Sequence, residues 1–381
     1  MSRPENSGGQ GYETTHRPDS PERGTAAPSA VRTAMPVLKP VLIAALLMAL
    51  VVMFLTTLAV GSVSIPVEDV VRVLLGHDVA RPSWTRIILD FRLPQAITAI
   101  LAGAGLGVAG LLMQTFFRNP LADPFVLGVS SGASLGVALV VLAVGGVTTS
   151  FLAGLGLMGD LALAVAASAG AAVVLMIVLF AARRIASGMS LLVLGLLFGY
   201  LTSAAVSLLL YFSIPERIQA YITWTFGSFT GVTWGQLVIL GPMIAGGLFA
   251  AFLLGKPLNA LLLGESYAFS MGINLMRARF AILTTAAVLA GTITAFCGPI
   301  GFIGIAVPHL CRSLFNTADH HQLTPLTMLV GALVALIAAF AASVPGSNIV
   351  LPLNAVTSLI GAPVVIWVLL RRQNIKESFS S

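Results

Sequence analysis

Charge is scarce in this sequence. Asp, Glu, Lys and Arg make up 9% of its 381 residues, against about 25% in a soluble domain. With 57% hydrophobic residues and a mean hydropathy of +0.98, that shortage excludes water as the main solvent and leaves lipid. Cysteine is almost absent. Cys297 and Cys311 stand alone in apolar sequence and form no CxxC, which excludes a disulfide framework and a thiolate metal site and leaves two small buried hydrophobes. Catalytic signatures are missing as well: there is no GxxxxGK[ST], no HExxH, no GxSxG, and no carboxylate pair within an apolar run. Charge inside the membrane marks ion-coupled carriers, so its near-absence argues against a secondary transporter and against an enzyme acting on lipid. The net charge of +6 is scattered between apolar runs rather than clustered. It reads as a topology signal, not as a nucleic-acid surface.

What is present begins with a tail. Residues 1–37 are rich in Gly, Pro, Ser and Thr with balanced charge; such a segment cannot bury enough apolar surface to offset its ordering entropy and is expected to be disordered. Beyond it, apolar runs of the roughly 17–25 residues a span needs follow one another through a domain over 38–373, with a short tail over 374–381. The first run, 41–60, lies too deep and lacks a small-residue cleavage site, so it is a span and not a signal peptide. Single spans fit 93–117, 124–159, 161–182, 185–215 and 218–255, several with loop material. The charge-free 320–370 run has room for two, with a turn near "SVPGSNIVLP". The 280–311 stretch fits one long helix or two short ones.

Charge asymmetry favours two. With both termini cytoplasmic and ten spans, the cytoplasmic segments hold Arg118, Arg183, Arg184, Lys256, Arg277, Arg279, Arg312, Arg371, Arg372, Lys376 and the bases of the tail. The outer segments keep only Arg72, Arg81, Arg86, Arg92 and Arg217. A nine-span chain would put Arg312 and the Arg371-Arg372 pair outside, against the positive-inside rule. The expected fold is therefore an all-α membrane protein of ten transmembrane helices.

Glycines and prolines punctuate the spans. "GLGVAG", residues 105–110, matches a dinucleotide-binding fingerprint by letter, but that motif needs a strand before it and a helix N-terminus at the phosphate, and here it lies inside an apolar run. Gly103 with Gly107, and Gly128, Gly132 and Gly136 in succession, give the spacing that lets transmembrane helices approach closely. "RNPLADP" (118–124) crowds Arg118, Asn119, Pro120, Asp123 and Pro124 into a cytoplasmic turn: residues before proline avoid helical geometry, and Asp123-Pro124 suits the start of the next helix. "CGPIGFIGIAVPH" (297–309) reads as a helix break near the outer surface followed by a re-entering span, a break tolerated at depth only when protein covers it or water lines it. His309 there is either a ligand or proton carrier, or a satisfied packing residue.

One polar island, 261–280, interrupts the second half. Gly264 can break the preceding helix, Glu265 suits a first turn, Tyr267, Ala268 and Met271 are spaced as an apolar face, and Gly272 is a C-terminal stop. The alternatives are a docking helix for a partner groove and a solvated loop.

The stretch "RLPQAITAILAGAGLGVAGLLMQTFFRNPLADPFVLGVSSGASLG" (92–136) resembles the signature of permease subunits of bacterial ABC importers for iron–siderophore, haem and cobalamin. "WTFGSFTGVTW" (224–234), "LNALLLGESYAFSMGIN" (258–274), "GPIGFIGIAVPHLCR" (298–312) and "TSLIGAPVVIWVLLRR" (357–372) follow in the family's order, so the resemblance spans roughly 40–372. It implies a type II ABC importer permease in a bacterial plasma (inner) membrane: ten helices per subunit, a homodimer with a central path, separate ATPase subunits, and an extracytoplasmic substrate-binding protein. It implies no enzyme activity and no cofactor in this chain. The cargo it suggests is a ferric siderophore first, with haem or cobalamin by the same mechanism. The island then becomes the coupling helices, about 258–276, with Leu263, Gly264, Glu265, Tyr267, Ala268, Met271 and Gly272 meeting the ATPase. Arg81, Arg86 and Arg217 become contacts for the binding protein; the alternative is a cap in which Arg72, Arg81, Arg86 and Arg92 pair with Glu68, Asp69, Asp78 and Asp90. The sequence departs from the family at 341–354, where many members carry an acid and this chain has Val350, with Asn354 in place of a glycine and no charge at all.

Overall fold

The computed structural model describes residues 35–143, 160–185, 188–347 and 349–377, and among these every regular element is helical. α1 (Met35–Ala59) is followed by two short helices, α2 (Val67–Leu74) and α3 (Pro82–Arg86), and by a π-helical segment, Ile87–Arg92, that runs without a break into α4 (Leu93–Phe116). A 3-10 turn (Pro124–Leu127) leads to α5 (Val129–Ala138). Then come α6 (Asp160–Arg184), α7 (Gly188–Tyr211), the short α8 (Pro215–Thr225), α9 (Trp234–Leu253), α10 (Gly255–Leu263) and α11 (Glu265–Ser270). The chain closes with α12 (Leu275–Cys297), α13 (Ile303–Phe315), α14 (His320–Ala342) and α15 (Leu353–Glu377).

Seven of these helical runs are long and apolar enough to cross a membrane, and three shorter apolar helices, Val129–Leu142, Ile303–Phe315 and Leu353–Ile366, accompany them. The chain is a multi-pass membrane protein. The ambiguous 280–311 stretch resolves into two helices. α12 ends at Cys297, Gly298 and Phe302 both take positive φ, and α13 starts at Ile303. Ordered chain reaches past the expected domain limits at both ends, since α1 starts at Met35 and α15 runs to Glu377. Residues 1–34 of the expected tail, and much of the 124–159 stretch, lie outside the described residues.

α4 is the centre of the bundle. It packs against α14, α12, α13 and α9, and nearly every residue from Ala102 to Thr115 is buried. Small residues make that possible. A side chain at Gly103 would collide with the Gly331 carbonyl of α14, and one at Gly110 with the Gly304 carbonyl of α13. Without hydrophobic drive between helices in lipid, such backbone contact supplies the van der Waals attraction. α5 meets α6 in the same way through Gly132 and Gly136. Gly128, expected to share that stripe, does other work: its φ of 76° is the left-handed joint between the 3-10 turn and α5.

Candidate functional site

Helix directions gather the loops at two poles. At one pole lie the turn after α4, the α10–α11 pair, and the junction of α13 with α14. Six-residue α11 is bracketed by two glycines: Gly264 at φ 127° and ψ 152°, a region open to glycine alone, and Gly272 at φ 77°, in the left-handed region that glycine favours. Its end is a Schellman closure: the Gly272 N–H donates to Phe269 (2.9 Å) and the Ile273 N–H to Ala268 (3.1 Å), satisfying carbonyls that a helix end otherwise leaves open. Asn274 then caps α12 by accepting the Arg277 N–H at 3.0 Å. The expected apolar face needs one correction. Ala268 is fully buried, facing the bundle, while Leu263, Tyr267, Phe269 (72% exposed) and Met271 project outward. A helix of fewer than two turns holds only one residue against its support, and the smallest residue fits there. Glu265 lies 3.6 Å from Arg279, a half-exposed pair worth little by itself. The Arg279 guanidinium also donates to the Ile185 carbonyl at 3.0 Å and lies 5.9 Å from the Phe116 ring centroid.

The 118–124 turn abuts this pair of helices. Arg118 holds an unusual positive φ of 47°, and its Nη2 lies 3.9 Å from where a side chain at Gly264 would begin. Asn119 Oδ1 accepts the Leu121 N–H at 3.0 Å. The Pro120 carbonyl accepts a 2.7 Å bond from the His309 ring, so His309 is a tie between α13 and this turn. Asp123 accepts the Phe125 N–H at 2.8 Å and thus caps the 3-10 turn begun by Pro124, not α5 itself. Burial raises the Asp123 carboxyl to about 6, against the lowering effect of that bond.

Sequence reasoning missed the polar side chains behind the turn. Gln114 accepts from Arg312 Nη1 at 2.6 Å and donates to the Ile305 carbonyl at 3.1 Å. The Thr115 hydroxyl is 2.8 Å from His320 Nε2, and His320 Nδ1 is 2.8 Å from Asn259 Oδ1. Asn259 Nδ2 donates to Asp319 at 2.7 Å; that bond and the His321 N–H hold the Asp319 carboxyl below its usual range. The available signal was the polar pair Gln114-Thr115 ending an apolar run.

At the opposite pole a cavity of about 370 Å³ opens among the ends of α1, α4 and α14, with Arg92, Gln95, Ser228, Thr230, Ser343 and Ser347 on its wall. Arg92 corrects the expected local pairing. It is buried and donates to two carbonyls at the end of α1, Leu58 (2.7 Å) and Ala59 (3.0 Å), and to that of Val63 (2.5 Å) in the loop beyond. Arg72 does pair locally, with Glu68 at 2.6 Å. Arg81, over the Trp84 ring at 5.2 Å, and Arg86 are exposed, and Arg217 is half-buried; among the described residues none of the three forms an ion pair. The uncharged 341–354 segment shows an apolar rim, with Ile349, Val350 and Leu351 exposed. Asn354 stitches three pieces: its Oδ1 accepts the Gly301 N–H (3.1 Å) and its N–H donates to the Phe226 carbonyl (3.0 Å).

A family model described as the FecCD transport family matches residues 48–371. The chain belongs to that family. This FecCD permease is 33% identical over 335 residues to the uncharacterised ABC transporter permease protein YvrB of Bacillus subtilis (strain 168), covering 85% of this chain and 91% of that one. It is 35% identical over 298 residues, 78% and 88% of the two chains, to the vitamin B12 import system permease protein BtuC of Escherichia coli O6:H1. Among solved structures, a chain titled as a metal-chelate type ABC transporter in an inward-facing conformation superposes with a TM-score of 0.75 at 29% identity, covering 87% of this chain and 99% of that one. The FecCD permease is accordingly the membrane component of an ABC importer, a transport subunit without catalytic activity of its own.

Proposed function

We propose that two copies of this chain form the translocation path of an ATP-driven importer for a metal chelate in a bacterial plasma membrane, with both termini cytoplasmic and ten spans per copy. The observation that carries the proposal is α11: a rigid six-residue helix on two glycine joints, presenting Tyr267, Phe269 and Met271 outward beside a basic pole. Exposed apolar side chains of this kind, Tyr267 and Met271 on one side of the short helix and Phe269 on the other, suit a groove in a partner, here the ATPase subunit. Seven long and three shorter apolar helices support the count of ten. The opposite pole, with its cavity and its exposed Arg81 and Arg86, would face an extracytoplasmic binding protein. Of the three cargoes, the vitamin B12 import systems to which the BtuC relatives belong favour cobalamin over the ferric siderophore suggested first by the sequence; haem shares the mechanism. Affinity purification of the tagged chain from its native membrane is expected to bring down an ATP-binding cassette subunit. Its absence under conditions that preserve other complexes would contradict the reading.

Orientation is testable separately. Introduced cysteines at Ser64 and Ser213 are expected to label from outside, and those at Ser187, Asn274 and Thr317 only after the membrane is breached. Outside labelling at Thr317 would mean that the two helices of the 280–311 stretch make a single crossing between them, and the count would be nine.

Arg81→Glu combined with Arg217→Glu is expected to slow docking of the binding protein and flatten its salt dependence, because rim charges act mainly on association rate. Arginine's planar fork also pairs well with carboxylates on such a partner. Stopped-flow docking at low and high salt gives the answer; rates that match the parent would move the contact elsewhere.

A further inference from the structure

Three consecutive residues close α4, and each reaches a different element, as side chains about 100° apart around a helix must. Gln114 faces α13, bonded to Arg312 and to the Ile305 carbonyl. Thr115 faces α14 through His320. Phe116 faces Arg279 of α12, whose guanidinium also holds Glu265, the first residue of α11. The middle link runs further. Asn259 Oδ1 can only accept, so His320 Nδ1 donates to it at 2.8 Å, and His320 Nε2 then accepts the Thr115 hydroxyl proton, also at 2.8 Å. Asn259 lies in the middle of α10, and the Thr115 and His320 side chains are buried.

We propose that the last turn of α4 is the node through which movement of α10–α11 reaches the helices of the passage, with His320 as the positioning residue that fixes α10 to α4. The proposal rests on α11 being the coupling helix. With Gly264 and Gly272 at its ends, α11 can swivel without carrying its neighbours by main-chain stiffness alone. Displacement is therefore handed on by side-chain ties, and these converge on residues 114–116. α4 is the right recipient because it packs directly on four other helices. Apolar contacts would let helices slide past each other, whereas a two-ended hydrogen bond fixes both register and rotation. Breaking it strands buried polar groups, and tightly packed elements respond to such a shift by switching arrangement rather than by deforming gradually.

The test uses the complete transporter, with its ATPase and binding protein, in proteoliposomes. Two quantities are read: cobalamin, haem or ferric siderophore imported per ATP hydrolysed, and the thermal midpoint of the complex. Thr115→Val removes the hydroxyl at nearly constant shape, His320→Leu removes both ring bonds and leaves only the main-chain N–H of residue 320 on Asn259 Oδ1, and His320→Gln keeps an amide able to bridge. Import per ATP is expected to fall roughly threefold to thirtyfold in Thr115→Val and His320→Leu. His320→Gln should lie between them and the parent, and the midpoint of Thr115→Val should fall by no more than the few degrees that one stranded acceptor costs, with the complex still assembled at the assay temperature. An import ratio equal to the parent's in Thr115→Val overturns the proposal, and this variant decides the matter if His320→Leu does not assemble. A loss of import that follows a lowered midpoint, with the ratio intact, overturns it too. A parent complex that imports none of the three chelates would instead sink the importer reading on which the proposal stands.

Discussion

Replacing Gly272 with proline is expected to abolish import while the assembled transporter continues to hydrolyse ATP. Gly272 holds φ at 77° and donates its N–H to Phe269 at 2.9 Å. Proline locks φ near −65° and has no N–H, so the closure of α11 loses both its geometry and a bond, at about 3 kcal/mol or roughly a hundredfold in the population of the turn. The exposed side chains of Tyr267, Phe269 and Met271 then no longer meet their partner in a fixed orientation. Gly272→Asn is the control, because asparagine tolerates the left-handed region and should keep most of the import. Glu265→Arg sets like charges at the Arg279 contact and is expected to lose import in the same sense but less completely, since its Glu265 side is open to solvent. Radiolabelled uptake and phosphate release measured on one preparation separate the two activities. Import by Gly272→Pro at the parental rate would remove α11 from the coupling path.

The second large effect is expected at Arg92, and there the loss is of stability. Its guanidinium closes the three carbonyls of Leu58, Ala59 and Val63 and so acts as a cap for α1 supplied from another helix. Hydrogen bonds from a charged donor contribute about 1.5–3 kcal/mol each, and they do not add fully. For Arg92→Met, which strands the buried Leu58 carbonyl while Ala59 keeps the Ile65 N–H and exposed Val63 can turn to water, a loss on the order of 2–3 kcal/mol follows. Arg92→Lys should fall between, since a point charge cannot reach three acceptors in a fork. Thermal unfolding in detergent is the measurement, with Arg81→Glu as an exposed comparison. If Arg92→Met melts with the parent, the α1 carbonyls find other donors and the capping role is wrong.

The spans were readable because lipid punishes charge. Several gaps between ionisable residues coincide with helices, and the 320–370 run divides at 343–352, whereas the helical run that holds α4 begins at Pro82 and passes through Arg86, Asp90 and Arg92. The α11 island was readable because Gly264 and Gly272 mark backbone geometry that their neighbours cannot adopt. The orientation of Ala268 was not, since a six-residue helix has too short a period to show which side is covered. Arg92 was grouped with the exposed arginines because its nearest acids in sequence look like partners. Its actual partners are main-chain carbonyls, about which the sequence is silent. The node at Gln114, Thr115 and Phe116 joins residues 190 or more apart along the chain in two of its three branches. Contacts that distant leave no periodic trace, and only the presence of polar residues at the end of an apolar run hinted at them.

The central claim is that this chain is the passage of an ATP-driven chelate importer, and reconstituted uptake tests it most directly. Proteoliposomes holding the permease and its ATPase, with ATP inside and the binding protein outside, would be offered labelled cobalamin, haem and a ferric siderophore in turn. The expected result is accumulation of one of them against its gradient. It should require both ATP and the binding protein, and it should stop with a non-hydrolysable nucleotide. Accumulation of none by an ATPase-active complex, or passive equilibration through the permease alone without nucleotide, would contradict the account.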